Sequence, residues 1–216
     1  MTGTDPGLLA MVPQPVRAVL LLFPMNIHPR TSPSVDEKVV WHTNQTVRGA
    51  CGSVGLLHAV MNNTHLISLD EKKFYSQFYE STRDLDSRTR AHRFYENDEI
   101  ERVHAETAQA EGTVEDSSYS NHSTQTHNLS SFSPFLLICF LCINFEFMAG
   151  AGQSLHFTAF VHVNGGLYEL DGHNQGPVKH GECDPDNLLP RAAQLIQTNF
   201  MDKVDLLALV AFIILY

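Results

Sequence analysis

The amino-acid sequence predicts an α/β (α+β) domain, in which apolar strands, two of them in an antiparallel hairpin, combine with helices. The first observation is that apolar, strand-like runs at 16–23, 156–163, 166–172 and 206–216 occur together with stretches of helical spacing. The second is the Asn164-Gly165 pair between two strand-like runs, which is typical of an antiparallel hairpin. The chain of 216 residues is long enough for one sizeable domain and short for two.

The first predicted elements are a strand and a helix. The run VRAVLLLF at 16–23 is continuous in β-branched residues and leucine and lies between two prolines, which indicates a buried central strand. The stretch VGLLHAVMNN at 54–63, opened by Gly52 and Gly55, has apolar residues at helical spacing, and its two asparagines indicate the end of the helix. Cys51 is therefore expected just before this helix, at its N-terminus.

The middle of the chain contains three stretches of different composition. Residues 70–110 carry recurring aromatic and aliphatic positions among charged ones, which predicts two or three amphipathic helices. Residues 112–131 are polar and without periodicity, which is typical of a loop. The apolar run at 135–145 is shorter than the ~18–20 residues that span a membrane. Finally, residues 187–201 are predicted to be helical, and the run at 206–216 is a candidate last strand.

Charge and cysteine content narrow the function classes. The net charge of −10 argues against nucleic acid as a partner, because phosphate binding requires a basic face. The first residues lack a basic, then apolar, secretory signal, and a chain of this length does not need disulfides. We therefore expect reduced thiols and a cytoplasmic location, with the nucleus as an alternative.

Four residues form a candidate catalytic set. A helix N-terminus favours a thiolate, so Cys51 is a candidate nucleophile, and the Gln45 amide with backbone N–H groups could stabilise an oxyanion. A cysteine nucleophile also needs a histidine to take its proton and a third group to orient the imidazole. His156 begins one strand of the predicted hairpin and Asp171 ends the other, so we expect these two residues to lie close together.

Each of these residues also has a structural interpretation. A single buried cysteine usually only packs, a histidine in an apolar strand is usually a core residue, and Asp171-Gly172 is usually a turn. The Gly-rich GSVG segment lacks the Lys-Ser/Thr of a phosphate-binding loop. The other histidines form no recognisable metal-binding motif, so no metal site is predicted.

The sequence around these four residues favours the catalytic interpretation over the structural one. The blocks NQTVRGACGSVGLLHAV and LHFTAFVHVNGGLYELDGHNQGPVKHGEC resemble the two signature blocks of the ubiquitin C-terminal hydrolase family, cysteine proteases of the papain-like clan. The similarity covers residues 4–118 and 154–207. It implies a papain-like cysteine protease fold, with a mainly antiparallel central sheet flanked by helices. In this fold Cys51 attacks, His156 acts as base and acid, Asp171 orients His156 and Gln45 stabilises the oxyanion.

The resemblance also implies the reaction and the partner. Such an enzyme hydrolyses bonds to the C-terminal glycine of ubiquitin, or of a ubiquitin-like protein, releases small adducts or short peptides, and needs no metal or organic cofactor. We expect a monomeric deubiquitinating thiol hydrolase of one domain, residues 1–216. The alternative is a catalytically impaired, ubiquitin-binding pseudo-enzyme. A third interpretation, a membrane-tethered adaptor, is disfavoured by the short apolar run.

The chain departs from the family pattern in two places. Family members usually have a further strand and helix before the block that here begins at Thr4, so the domain is expected to be N-terminally incomplete. Residues 112–153 stand where the crossover loop over the cleft should be, and we interpret them as an extended loop or insertion. For the segment 119–153 our hypothesis is a retained non-coding stretch, with a partner-binding helix or a membrane-associating segment as alternatives.

Overall fold

A computed structural model describes residues 6–25, 39–47, 50–66, 74–97, 155–200 and 209–213. The strands are β1 (Ala18–Pro24), β2 (Leu155–Val163), β3 (Gly166–Leu170), β4 (Val178–Glu182) and β5 (Leu209–Ile213). The helices are α1 (Pro6–Leu9), α2 (Cys51–Met61), α3 (Phe74–Thr82), α4 (Ser87–Tyr95) and α5 (Leu188–Asn199), with a 3₁₀ turn at Pro185–Asn187.

The five strands form one sheet in the order β4-β3-β2-β1-β5, and every neighbouring pair is antiparallel. Strand β1 has a neighbour on each side, and all seven of its residues are buried. A strand buried on both faces needs apolar side chains at every position, which explains its unbroken apolar sequence. The predicted antiparallel sheet with flanking helices is confirmed.

The hairpin between β2 and β3 turns at the predicted dipeptide. Asn164 has φ of 47° and Gly165 has φ of 79°, the pair of positive values that a two-residue turn of type I′ requires. Val163 pairs with Gly166, and Ala159 pairs with Leu170. Through this register the hairpin brings the start of β2 close to the segment that follows β3.

Helices cover both faces of the sheet. Helix α5 packs on one face, where Ile196 and Phe200 join Phe23 of β1 and Phe160 of β2 in one cluster. Helix α2 packs on the other face, against β1 and β2, and α3 and α4 cover its outer side. All eleven residues of α2 are buried, as expected for a helix that is apolar all round.

Two elements were not predicted, and several predictions fall outside the described residues. The strand β4 escapes prediction because its sequence, VKHGE, is mostly polar, and the four-residue α1 is too short to show a period. Helices α3 and α4 confirm two of the helices expected in 70–110. The segments 98–110 and 112–153 lie outside the described residues. Within the described ranges, no helix has the length and apolar character needed to cross a membrane.

Candidate active site

Cys51 is the first residue of α2, as its sequence position predicts. Ala50, the residue before it, has no side chain that could cap the helix. The first N–H groups of any helix have no partner within the helix, and the helix dipole makes this end electropositive. Cys51 is buried and unpaired, as is Cys183, so neither of these two thiols is in a disulfide.

His156 and Asp171 form a buried pair. The Nε2 atom of His156 lies 2.7 Å from Oδ1 of Asp171, and the two side chains are 2% and 0% exposed. Phe23 of β1 meets the imidazole edge-on, with the ring centroids 5.7 Å apart. Because Nε2 is turned toward the carboxylate, Nδ1 is the ring nitrogen that can serve the Cys51 thiol.

The environment of His156 favours its protonated form. Burial by itself lowers the pKa of His156, but hydrogen bonds with the side chains of Asp171 and Cys51 oppose this effect and prevail. Their negative charges act in the same direction, and together they raise the pKa of His156 from 6.5 to about 9. The ring is therefore an imidazolium at neutral pH, and it lies between the Cys51 side chain and the Asp171 carboxylate.

A second histidine, His173, lies beside His156. It stands two positions beyond Asp171, in the turn that follows β3. The two imidazole rings stack with centroids 4.3 Å apart and planes inclined by 15°, and the His173 backbone N–H donates to Oδ1 of Asp171 at 2.7 Å. The sequence argument recognised the proximity of His156 and Asp171 but did not find His173.

Gln45 lies beside this pair, in the extended segment before α2. Its backbone N–H donates to the Gly172 carbonyl oxygen at 2.8 Å. Its side-chain Nε2 donates to the Val47 carbonyl oxygen at 3.0 Å, while Oε1 is buried and has no hydrogen-bond partner among the described residues. A Cβ placed on Gly172 would lie 2.8 Å from Cβ of Gln45 and 2.9 Å from Cγ1 of Val54, so these three residues are in close contact.

The segment that carries Gln45 is held along the end of β3 by hydrogen bonds. Asn44 donates from its side chain to the carbonyl oxygen of Asn174 at 3.0 Å. His42 places Nε2 2.8 Å from the carbonyl oxygen of Asp171. Hydrogen bonds thus join the segment that carries the predicted oxyanion residue to the segment that carries the predicted orienting carboxylate.

His58 of α2 hydrogen-bonds both the segment that carries Gln45 and the end of β3. Its Nε2 accepts the backbone N–H of Thr43 at 3.1 Å, and its Nδ1 lies 3.2 Å from the carbonyl oxygen of Leu170. Burial lowers the pKa of His58 well below 6.5, and the neighbouring His42 adds to this effect. A neutral ring that donates through Nδ1 and accepts at Nε2 satisfies both contacts.

Arg90 of α4 hydrogen-bonds the same segment before α2 and the end of α3. Its guanidinium donates to the carbonyl oxygens of His42, Thr82 and Arg83 at 2.9, 3.0 and 2.7 Å. The group also lies over the ring of Trp41, 5.1 Å from its centroid. Sequence reasoning missed Arg90, His42 and His58 as site-supporting residues, and the sequence offers no local signal for them, because each acts through backbone groups far along the chain.

Comparison with known proteins places this geometry in a family. Residues 1–202 match the family profile described as "Ubiquitin carboxyl-terminal hydrolase, family 1". A probable ubiquitin carboxyl-terminal hydrolase from Dictyostelium discoideum is 32% identical over 206 residues, covering 90% of this chain and 69% of the relative. A ubiquitin carboxyl-terminal hydrolase from Aplysia californica is 33% identical over 202 residues, covering 90% of this chain and 79% of the relative.

The fold has matching solved structures. The catalytic domain of Trichinella spiralis UCH37, solved bound to ubiquitin vinyl methyl ester, matches with a TM-score of 0.57 and 20% sequence identity. The match covers 93% of this chain and 78% of that one. At this identity the structural match supports the fold, while the family profile and the curated relatives establish the ancestry. The chain belongs to family 1 of the ubiquitin carboxyl-terminal hydrolases.

Proposed function

We propose that this protein is a deubiquitinating thiol hydrolase, in which Cys51 attacks the carbonyl carbon of the C-terminal glycine of ubiquitin. The observation that carries the proposal is the buried His156, which hydrogen-bonds Asp171 at 2.7 Å through one ring nitrogen and interacts with Cys51 on its other side. A nucleophile, a proton carrier and an orienting carboxylate in series are what acyl transfer by a cysteine requires.

The proton balance follows from the state of His156. The imidazolium holds the proton removed from the Cys51 thiol, so the attacking atom is the thiolate sulfur. As the tetrahedral adduct collapses, His156 gives this proton to the departing nitrogen or oxygen, and the ubiquitin chain remains on Cys51 as a thioester. His156, now neutral, takes a proton from the water that attacks the thioester. Collapse of the second adduct expels the Cys51 thiolate, restores the thiolate–imidazolium pair and releases the ubiquitin carboxylic acid, which loses its proton to solvent.

The negative charge on the carbonyl oxygen has two sources of stabilisation. The first is the N-terminus of α2, where backbone N–H groups surround the position of Cys51. The second is the Gln45 amide, whose Nε2 has two N–H bonds and uses one to donate to Val47. Removing one such donor typically lowers kcat by a factor of about 10²–10³.

Ubiquitin is the partner that the comparisons favour. The matching Trichinella structure contains a ubiquitin vinyl methyl ester, and the curated relatives carry the name of ubiquitin hydrolases. The net charge of −10 suits a basic partner surface. Cys51 has to stay reduced to act as a nucleophile, which a reducing compartment favours, so we propose the cytoplasm as the location, with the nucleus as an alternative.

The test is hydrolysis of ubiquitin that carries a fluorogenic amide on its C-terminal glycine. The purified chain should release the fluorophore, Cys51→Ala should release none, and Gln45→Ala should be slowed about 10²–10³-fold with its fold intact. Cys183→Ala, which removes the other described thiol, is the matched control and should retain activity. A folded protein that binds ubiquitin without turning it over would contradict the proposal and support the pseudo-enzyme alternative.

A further inference from the structure

Three side chains of types that bind metal ions lie close together at the site. His156, Asp171 and His173 each offer one ligand atom, and these atoms all lie within 4.8 Å of one another. They come from β2 and from the turn after β3, and the hairpin register brings them together. The sequence prediction of no metal motif was made from linear spacing, which does not reveal a cluster that depends on strand pairing.

The donor set has a definite metal preference. Two imidazoles and one carboxylate suit borderline cations such as Zn²⁺, whereas Mg²⁺ and Ca²⁺ prefer oxygen ligands alone. Two of the three residues are buried, and His173 is exposed, so solvent has a route to the cluster. We propose that these three residues form an inhibitory site for a zinc-type divalent cation, a regulatory property that rests on the proposed hydrolase function.

His173 is the ligand that distinguishes this metal site from the catalytic pair of His156 and Asp171. Its backbone N–H donates to Oδ1 of Asp171, which keeps residue 173 beside the carboxylate. Its ring now stacks on His156, and two parallel rings cannot both direct a lone pair at one ion, because a metal lies close to the plane of each imidazole that binds it. The exposed His173 ring must therefore turn from its stacked position as the cation binds.

The inhibition has a simple chemical cause. The cation takes the place of the proton shared by Nε2 of His156 and Oδ1 of Asp171, and that proton is released to solvent. A ring that is bound to a cation through Nε2 is a poor proton acceptor at Nδ1, and Asp171 can no longer orient it by a hydrogen bond. Cys51 is not a ligand in this arrangement, because it lies on the other side of His156.

The first experiment measures binding without reference to activity. Zn²⁺ is titrated into the full chain by competition with a chromophoric chelator, in a phosphine reductant that does not bind zinc. We expect one ion per chain, undiminished binding by Cys51→Ser, and no binding of Mg²⁺. Loss of zinc binding in Cys51→Ser would overturn the proposal, because it would assign the ion to a thiolate–imidazole site. Equal binding of Mg²⁺ would also overturn it.

The matched variants concern His173. His173→Phe keeps an aromatic ring for stacking on His156 but removes the ligand nitrogens, so it should bind Zn²⁺ at least about tenfold more weakly. His92→Ala removes an exposed histidine of α4 that is not in the cluster and should bind as the unaltered chain does. Unweakened binding by a folded His173→Phe protein would refute the assignment.

Inhibition of ubiquitin amide hydrolysis is then measured for the same proteins. The inhibition constant for Zn²⁺ should rise by the same factor as the dissociation constant in His173→Phe. Zinc binding in a protein that shows no hydrolysis would overturn the proposed function and leave the metal site standing. Hydrolysis that Zn²⁺ inhibits equally in the unaltered chain and in His173→Phe would overturn the metal site and leave the function standing.

Discussion

His156 is the residue on which the proposed chemistry converges, because one imidazole contacts three different groups. The Asp171 carboxylate holds Nε2, the Cys51 side chain hydrogen-bonds the ring, and His173 covers one ring face. Burial disfavours the charge on this ring, and the two hydrogen-bonded partners restore it. The pH dependence of the reaction should therefore be governed by these neighbours.

Hydrolysis should decline as the pH rises through about 9, because His156 then loses the proton that it gives to the leaving group. Replacing Asp171 by Asn removes a carboxylate that raises this pKa, so the decline should begin at lower pH. The measurement is the pH profile of kcat/KM, which reports groups of the free enzyme. Glu182→Gln, which removes an exposed carboxylate of β4, should leave the profile unchanged. An alkaline limb in Asp171→Asn that matches the parent's would contradict this assignment.

His58 should make stability depend on pH in the acid range. Its pKa in the folded chain lies well below 6.5, so below pH 6.5 the unfolded chain binds a proton that the folded chain does not. Stability is thus lost as the pH falls below 6.5. His58→Gln can keep both hydrogen bonds without titrating, so the stability advantage of the parent over this variant should shrink between pH 8 and pH 5. Denaturant unfolding of both proteins at each pH measures this difference in stability. A difference that stays constant between pH 8 and pH 5 would contradict the prediction.

At the scale of secondary structure elements, the segment before α2 packs closely against the residues that follow β3. Gly172 has backbone and side-chain atoms of Gln45 and Val54 within 2.8–3.0 Å of where a Cβ would lie. Two of these atoms are the backbone nitrogen and the Cβ of Gln45, which cannot move aside as the tip of a long side chain can. Glycine is therefore required here by close approach rather than by backbone angle.

Gly172→Ala should destabilise the fold by about 1–3 kcal/mol and should lower kcat more than it raises KM, since it displaces Gln45 and the first turn of α2. Gly55→Ala is the matched control, because its new Cβ would come no nearer than 3.4 Å to Leu20 and helices favour alanine by about 1 kcal/mol. Thermal unfolding and steady-state kinetics on both variants test this. A Gly172→Ala enzyme with the parent's kcat would show that the contact does not position the site.

Helix α4 is connected to the site through Arg90. Arg90→Met would remove one donor from each of three carbonyl oxygens, although His42 keeps the Ser87 hydroxyl and Thr82 keeps the Leu85 N–H as donors. The loss should cost about 1–3 kcal/mol in the free energy of unfolding. Arg88→Met, on the same helix but exposed, should change it by less than about 0.5 kcal/mol. Denaturant titration of the two variants gives the comparison, and equal stabilities would show that the buried guanidinium contributes little.

Sequence reasoning succeeded where a local pattern has one structural outcome. The Asn164-Gly165 turn, the buried strand β1 and a helix with Cys51 at its N-terminal end were all predicted. It failed where the outcome depends on distant partners. The mostly polar strand β4 is stabilised by its pairing with β3, and His173 reaches His156 only through the strand register.

The whole molecule brings together residues that are more than a hundred positions apart. Cys51 comes from a helix between two layers, whereas His156 and Asp171 come from a hairpin of the sheet. The cluster of α5, with Phe23 and Phe200 in contact, supports the sheet beneath His156. Formation of the site therefore requires the whole layered fold, and a reagent that needs the complete site also reports folding.

The most direct measurement is the reaction of the purified chain with ubiquitin that carries a cysteine-reactive electrophile at its C-terminus, followed by intact mass and peptide mapping. One ubiquitin should attach to each chain through Cys51, and Cys51→Ala should form no adduct. Unconjugated electrophile of the same kind should react far more slowly, because ubiquitin binding is what delivers it to the thiol. A well-folded protein that forms no adduct, or one modified at Cys183 instead, would contradict the assignment of Cys51 as the nucleophile of a ubiquitin hydrolase.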